Sequence, residues 1–256
     1  MRNGRVAAIT FLVIVILGGA YYLNPFSTKD TTYRVVNTYP HDQEAFTQGL
    51  IYHDGELFEG TGLYERSSLR RVDLETGEVL QIIDLPPDVF GEGITVLDDR
   101  IYMLTWREWT CYVYDLDFEL QETFSYPTEG WGLTNNGNYL IMSDGSSKLR
   151  LINPDTFQVT KTITVSYNGK PVDNLNELEY VDGIIYANIW LTDQIALIDA
   201  MSGNVIDFID FSSLKDELDT DQIDVLNGIA YNPEKDTFYI TGKLWPIVFE
   251  VELISK

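Results

Sequence analysis

Ten positions of this chain recur in spacing and carry side chains able to hold and polarise a polar ligand. Five of them open short apolar strands roughly 40 to 50 residues apart: Gln48, Glu92, Trp131, Asn176 and Asn227. Aligning the hairpins that follow gives a second set just beyond the next strand: Gly62, Trp106, Asp144, Trp190 and Lys243. A purely structural repeat needs only small or apolar residues at such places. Side-chain amides and carboxylates instead offer hydrogen bonds, a lysine stabilises negative charge, and indoles clamp whatever lies between them. If the two sets converge they make a pocket; the alternative is a satisfied polar network that plugs a channel.

Other chemistries find little support. Only His41 and His53 are present, with one cysteine, Cys111, so a zinc site of the usual histidine and cysteine type is excluded and no intrachain disulfide can form. No glycine loop that cradles phosphate and no Gly-x-Ser-x-Gly elbow occurs. The acidic stretch 216–224 lacks the spacing of an EF-hand and reads as a solvated loop. Both histidines read as surface or turn residues, and Cys111 as a small buried hydrophobe. No metal and no cofactor is expected.

The elements that would position the two sets are strands. From residue 31 the chain alternates short segments rich in Val, Ile, Tyr, Phe and Thr with turn pairs such as Asp54-Gly55, Asn136-Gly137 and Asp182-Gly183. Only residues 212–218 suggest a turn or two of helix. A unit of four strands recurs five times, the size of one propeller blade, and inner strands of such blades line a common axis. The last unit has three strands, while an extra strand, 33–39, precedes the first. The expected fold is therefore an all-β, five-bladed propeller with four-stranded blades, closed by the N-terminal strand; a two-sheet sandwich is the alternative.

Residues 1–30 read as a signal peptide or membrane anchor with a short linker, and 31–256 as the propeller domain. Arg2 and Arg5 precede an apolar run over 6–23 that is long enough for one membrane-spanning helix, with an uncleaved anchor the favoured reading. The domain is then extracytoplasmic, periplasmic or secreted, and touches membrane only through that segment. A net charge of -23 argues against nucleic acid as a partner.

Nine separated segments, in order, are similar to those of one family. They are Phe46-Thr47-Gln48-Gly49-Leu50, Phe58-Glu59-Gly60-Thr61-Gly62-Leu63-Tyr64, Glu92-Gly93-Ile94-Thr95, Leu104-Thr105-Trp106, Gly130-Trp131-Gly132-Leu133, Asn176-Glu177-Leu178-Glu179-Tyr180, Asn188-Ile189-Trp190, Leu226-Asn227-Gly228-Ile229-Ala230-Tyr231 and Thr241-Gly242-Lys243-Leu244-Trp245-Pro246. The chain resembles, over residues 33–253, the plant-type and bacterial glutaminyl-peptide cyclotransferases, which are five-bladed propellers. That resemblance implies closure of an N-terminal glutamine of a peptide or protein into pyroglutamate, with loss of ammonia; the catalytic domain is expected to be monomeric. The resemblance places the proton-transferring carboxyl on Glu59, with Glu92 and Glu177 as alternatives. The family's contacts fall on Phe46, Gln48, Asn176, Trp106, Trp190 and Lys243, and Trp131 of the first set joins them as substrate-binding.

In that reaction nucleophile and electrophile are already tethered, so no serine or cysteine is required. One carboxyl that takes a proton from the attacking amine and gives one to the leaving nitrogen suffices. Two other functions fit the same pocket. One is a non-catalytic propeller that binds peptide or glycan. The other is a calcium-dependent lactonase-like enzyme, disfavoured by the scarcity of carboxylates in the two sets.

Overall fold

The computed structural model describes residues 31–255, so the apolar run over 6–23 and its reading as signal or anchor helix lie outside the described residues. An opening strand, β1 (Thr31–Pro40), precedes the first sheet: β2 (Thr47–His53), β3 (Glu56–Thr61), β4 (Ser68–Asp73) and β5 (Val79–Asp84). The second comprises β6 (Gly91–Leu97), β7 (Arg100–Thr105), β8 (Thr110–Asp115) and β9 (Leu120–Ser125). The third is β10 (Leu133–Asn135), β11 (Leu140–Met142), β12 (Lys148–Ile152) and β13 (Val159–Thr164), followed by a small hairpin, β14 (Ser166–Tyr167) and β15 (Lys170–Pro171). The fourth contains β16 (Leu175–Val181), β17 (Ile184–Ile189), β18 (Gln194–Asp199) and β19 (Val205–Asp210). A 3-10 helix, Ser212–Glu217, leads to the last strands, β20 (Leu226–Asn232), β21 (Thr237–Gly242) and β22 (Ile247–Ser255).

Each sheet is an antiparallel meander of four strands, and β1 is the fourth strand of the fifth, paired with β22 from Thr31 opposite Ser255 to Pro40 opposite Ile247. The propeller follows from how the sheets bury their faces. Five apolar clusters fill the spaces between neighbours, one for each pair of adjacent blades. Phe58 and Leu69 of the first blade meet Ile94 and Met103 of the second. Leu104 and Val113 meet Leu133 and Met142, and Ile141 and Leu149 meet Ile185 and Ala187. Ile195 and Leu197 meet Ile229 and Phe249, and Leu50 and Leu57 meet Ala230 and Tyr239, which brings the fifth blade against the first. Of the outermost strands, β5 alternates half-buried and exposed positions, β9 and β13 are exposed almost throughout, and β19 is mostly buried.

The hairpin pairs behave as their chemistry demands. Asp54-Gly55 and Asp182-Gly183 both take positive φ at each residue, the mirror-image turn that matches strand twist. Cys111 is fully buried on β8, where desolvation pushes its thiol up.

Four of the five repeat-opening residues are followed by glycine, and crowding of the inner strands at the axis explains three of these, Gly228 instead taking a positive φ of 130°. A Cβ on Gly49 would sit 2.5 Å from the Ile94 amide nitrogen, one on Gly93 would sit 2.6 Å from that of Leu133, and one on Gly132 would collide with the Asn176 carbonyl. The fourth blade departs from the pattern: Glu177 fills the position and turns its carboxyl group across the axis, where it accepts the amides of Ile229 at 2.8 Å and Leu50 at 3.4 Å.

Candidate functional site

The residues that open the repeats reach the site because the strands are irregular there. Register shifts fall between Thr47 and Gly49, Gly91 and Ile94, Leu175 and Leu178, and Leu226 and Ile229. Each is a bulge that contains the residue in question, and a bulge re-aims a side chain that regular alternation would commit to one face. Gln48, Glu92 and Asn176 are thereby turned into one cavity of about 360 Å³ at the end of the axis.

Trp106, Trp190 and Lys243 enter the same cavity from loops beyond the second strands, Trp131 from the segment before β10, and Phe46 from the segment before β2. All seven expected contact residues therefore line one space. Trp131 meets Trp190 edge to face, with centroids 5.4 Å apart and planes at 85°. Phe90 joins the wall between Phe46, at 6.3 Å, and Trp106, at 5.6 Å. The Lys243 ammonium lies 4.6 Å from the centre of the Phe46 ring, close enough for a cation–π attraction.

Of the strongly raised buried carboxyls Glu92, Glu177 and Glu179, only Glu92 lines the cavity. Burial pushes its carboxyl well above the usual range; Lys243 opposes this, and Glu129 and Glu108 add to it. Burial lowers Lys243 in turn, restrained by Glu92 and Asp224. Acid and amine are thus both driven toward their neutral forms by the same dry surroundings. Gln48 is held by Asn227, whose Nδ2 donates to Gln48 Oε1 at 3.2 Å and to the Thr47 carbonyl at 2.9 Å. Asn176 lines the cavity, and its Oδ1 is buried with no hydrogen-bond partner among the described residues.

Glu59 is placed elsewhere. It does not line the cavity; its Oε1 accepts Thr47 Oγ1 at 2.7 Å and faces His41 Nε2 at 3.0 Å. His41 Nδ1 lies 2.6 Å from the Trp245 carbonyl, which can only accept, so both ring nitrogens face acceptors. That arrangement fits an imidazolium against a carboxylate. Burial of Glu59 works to raise its carboxyl, but His41, Arg70 and Thr47 prevail and hold it below the usual range. For His41, burial works to lower it and Glu59 prevails in raising it. His41 itself is not the surface or turn residue expected, since its side chain is only 4% exposed. Of the remaining recurrent positions, Asp144 is engaged by Arg150 at 2.6 Å, Gly62 packs under Phe90, and Asn227 supports Gln48 from behind.

Phe90, Leu191 and Asp224 line the cavity without having been singled out. Phe90 was within reach of the repeat, because it stands two residues before Glu92 as Phe46 stands two before Gln48. Asp224 ends the stretch read as a solvated loop; its backbone accepts the Trp245 indole at 2.9 Å and donates to Lys243, which pulls it inward. Among the described residues no three histidine, cysteine, aspartate or glutamate side chains come together as a metal site.

Known proteins share these features. A family profile described as "Glutamine cyclotransferase" matches residues 10–253. A "Glutaminyl-peptide cyclotransferase" of Arabidopsis thaliana is 40% identical over 261 residues, which cover 94% of this chain and 82% of the plant protein. The solved structure of Myxococcus xanthus glutaminyl cyclase superposes with a TM-score of 0.83 at 36% identity, over 88% of this chain and 98% of that one.

Proposed function

The chain belongs to the glutamine cyclotransferase family, and from that premise we propose how its cavity performs the reaction. The protein is a glutaminyl-peptide cyclotransferase: it closes the N-terminal glutamine of a peptide into pyroglutamate and releases ammonia. In our reading Glu92, rather than Glu59, is the proton shuttle. The observation that carries this is placement, because Glu92 is a buried carboxyl in the wall of the cavity, beside the tryptophans and Lys243.

The α-amine of the substrate has an ordinary pKa of about 7.7 to 8.0, so a useful share is neutral near pH 7. Its nitrogen attacks the side-chain carboxamide carbon, forming the ring C–N bond and placing negative charge on the oxygen. Lys243 and the amide of Gln48 or Asn176 stabilise that oxygen. Glu92 takes the proton that the attacking nitrogen sheds and gives one to the departing nitrogen, so the C–N bond to ammonia breaks and Glu92 returns to its starting state. A carboxyl lifted by burial suits both halves of this exchange. Trp106, Trp131 and Trp190 clamp the glutaminyl side chain and keep water out, while the unpartnered Asn176 Oδ1 accepts a substrate N–H.

Ammonia release from a peptide with N-terminal glutamine tests the reading. Wild type releases ammonia and Glu92→Gln releases it about 10²–10⁴-fold more slowly, whereas a module that merely binds peptide or glycan releases none in either form.

The same reading makes residues 6–23 a signal or membrane anchor, places the domain outside the cytoplasm as a monomer, and treats β1 as the clasp that closes the ring. Fractionation of cells carrying the full chain, and light scattering of the purified domain, test these points.

A further inference from the structure

Glu129 stands two residues before Trp131, where the first and second repeats have Phe46 and Phe90. The third blade thus offers a carboxylate where the first two offer a ring, and the fourth and fifth carry Asn174 and Val225 at that place. Its Oε2 accepts the indole N–H of Trp106 at 2.9 Å and that of Trp131 at 3.1 Å. Its Oε1 accepts Arg107 Nε at 2.9 Å, and the guanidinium of Arg107 lies over the Trp106 ring, 3.8 Å from its centre. Glu129 does not line the cavity and its side chain is 34% exposed, so it works from the rim.

We propose that Glu129 is a positioning residue: a single carboxylate oxygen that fastens the indoles of Trp106 and Trp131, from two different blades, in the orientation that receives the glutaminyl side chain. This rests on reading the cavity as the reaction site. Both indole N–H groups are spent on this one oxygen, and without it each ring would turn to find another acceptor. A charged acceptor holds such donors roughly twice as strongly as a neutral one. Fixing Trp131 also fixes Trp190, because those rings pack edge to face. Arg107 completes the clamp by pinning the carboxylate from one side and covering Trp106 from the other.

Indoles that grip the substrate side chain grip it similarly before and during reaction, so loosening them raises KM more than it lowers kcat. The test uses the full chain, a glutamine-initiated peptide and ammonia release, with near-ultraviolet circular dichroism to follow indole order. Glu129→Ala is expected to raise KM about tenfold, with kcat within about threefold, and to weaken the indole bands at a nearly unchanged thermal midpoint. Glu129→Gln keeps an acceptor oxygen and is expected to bring KM back to within about threefold of wild type and to restore the bands. Wild-type KM and bands in Glu129→Ala would overturn the proposal. Equal rises of KM in the Ala and Gln variants would overturn it too, since the carboxylate would then act on the substrate amine through charge. If wild type itself releases no ammonia the reaction reading fails, whereas the dichroism bands still decide the positioning role.

Discussion

The carboxylate of Glu59 and the imidazole of His41 meet at 3.0 Å in a place sealed from solvent, behind the cavity rather than in it. Each holds the other in its charged form, and His41 passes the link to the Trp245 carbonyl, two residues from Lys243. In our reading a group so committed supports the fold rather than shuttling protons. Removing one partner of a buried pair leaves an uncompensated charge, and the variant Glu59→Gln is expected to lose about 3 kcal/mol, the low end for such a change because His41 can shed its proton. Urea denaturation measures the loss. Its folded fraction should turn over within about tenfold of wild type; complete loss of turnover in a stable Glu59→Gln protein would return the shuttle to Glu59.

Glu92→Gln should show the opposite split. The carboxamide keeps the shape and cannot exchange a proton, so kcat falls about 10²–10⁴-fold while the denaturation midpoint holds or rises slightly. The midpoint does not fall because a buried acid driven toward neutrality gains nothing from its charge. Equal activity in the two proteins would place the proton transfer on another group.

The buried pair also predicts a pH signature. His41 is raised above its ordinary 6.5, so its contribution is complete below about that value and fades as pH climbs through the raised one. Glu59 is lowered below its ordinary 4.5, so its contribution is complete above that value and fades as pH drops through the lowered one. Stability owed to the pair is therefore full between about pH 4.5 and 6.5 and declines on both sides. His41→Gln should flatten this part of the profile of unfolding free energy against pH.

Glu179 works in the other direction. Burial pushes it up to about 8, against an ordinary 4.5, although the amide of Tyr231 and the hydroxyl of Thr134 oppose the shift. Between these values the unfolded chain has released a proton that the folded chain keeps, so stability falls as pH rises from about 4.5 to about 8. The upper bound is about 1.4 kcal/mol per pH unit. Glu177 lies on the same strand and is raised in the same sense. Glu179→Gln should reduce the alkaline decline; an unchanged slope in denaturation at pH 5, 6, 7 and 8 would show that Glu179 does not cause it.

At the axis, Gly132→Ala tests the close approach of inner strands. The new methyl group meets the Asn176 carbonyl and the Glu177 backbone, neither of which can swing away. A loss of about 1–3 kcal/mol is expected. Because Asn176 lines the cavity, KM should rise along with the loss of stability.

The repeat, the all-β class and the identity of seven cavity residues are legible in the sequence, and for one reason. Blades bury both faces on their neighbours, so each must carry the same periodic apolar strands, and a polar or aromatic residue recurring at an equivalent place stands out against them. What the strands conceal is direction. Leu57, Phe58, Glu59, Gly60 and Thr61 are all buried, so alternation on β3 marks no face and cannot tell whether Glu59 looks toward the cavity or away from it. Glu92 reaches the cavity through a bulge, a local change of register that depends on the partner strand. Asp224 is drawn in by Trp245 and Lys243, and Glu129 matters only because Trp106 and Trp131 come from different blades to one of its oxygens. Sequence by itself determined which residue types gather at the end of the axis. Only the tertiary structure decided which carboxyl enters the cavity, which is locked in an ion pair and which holds the tryptophans, because those roles depend on contacts between blades that lie far apart along the chain.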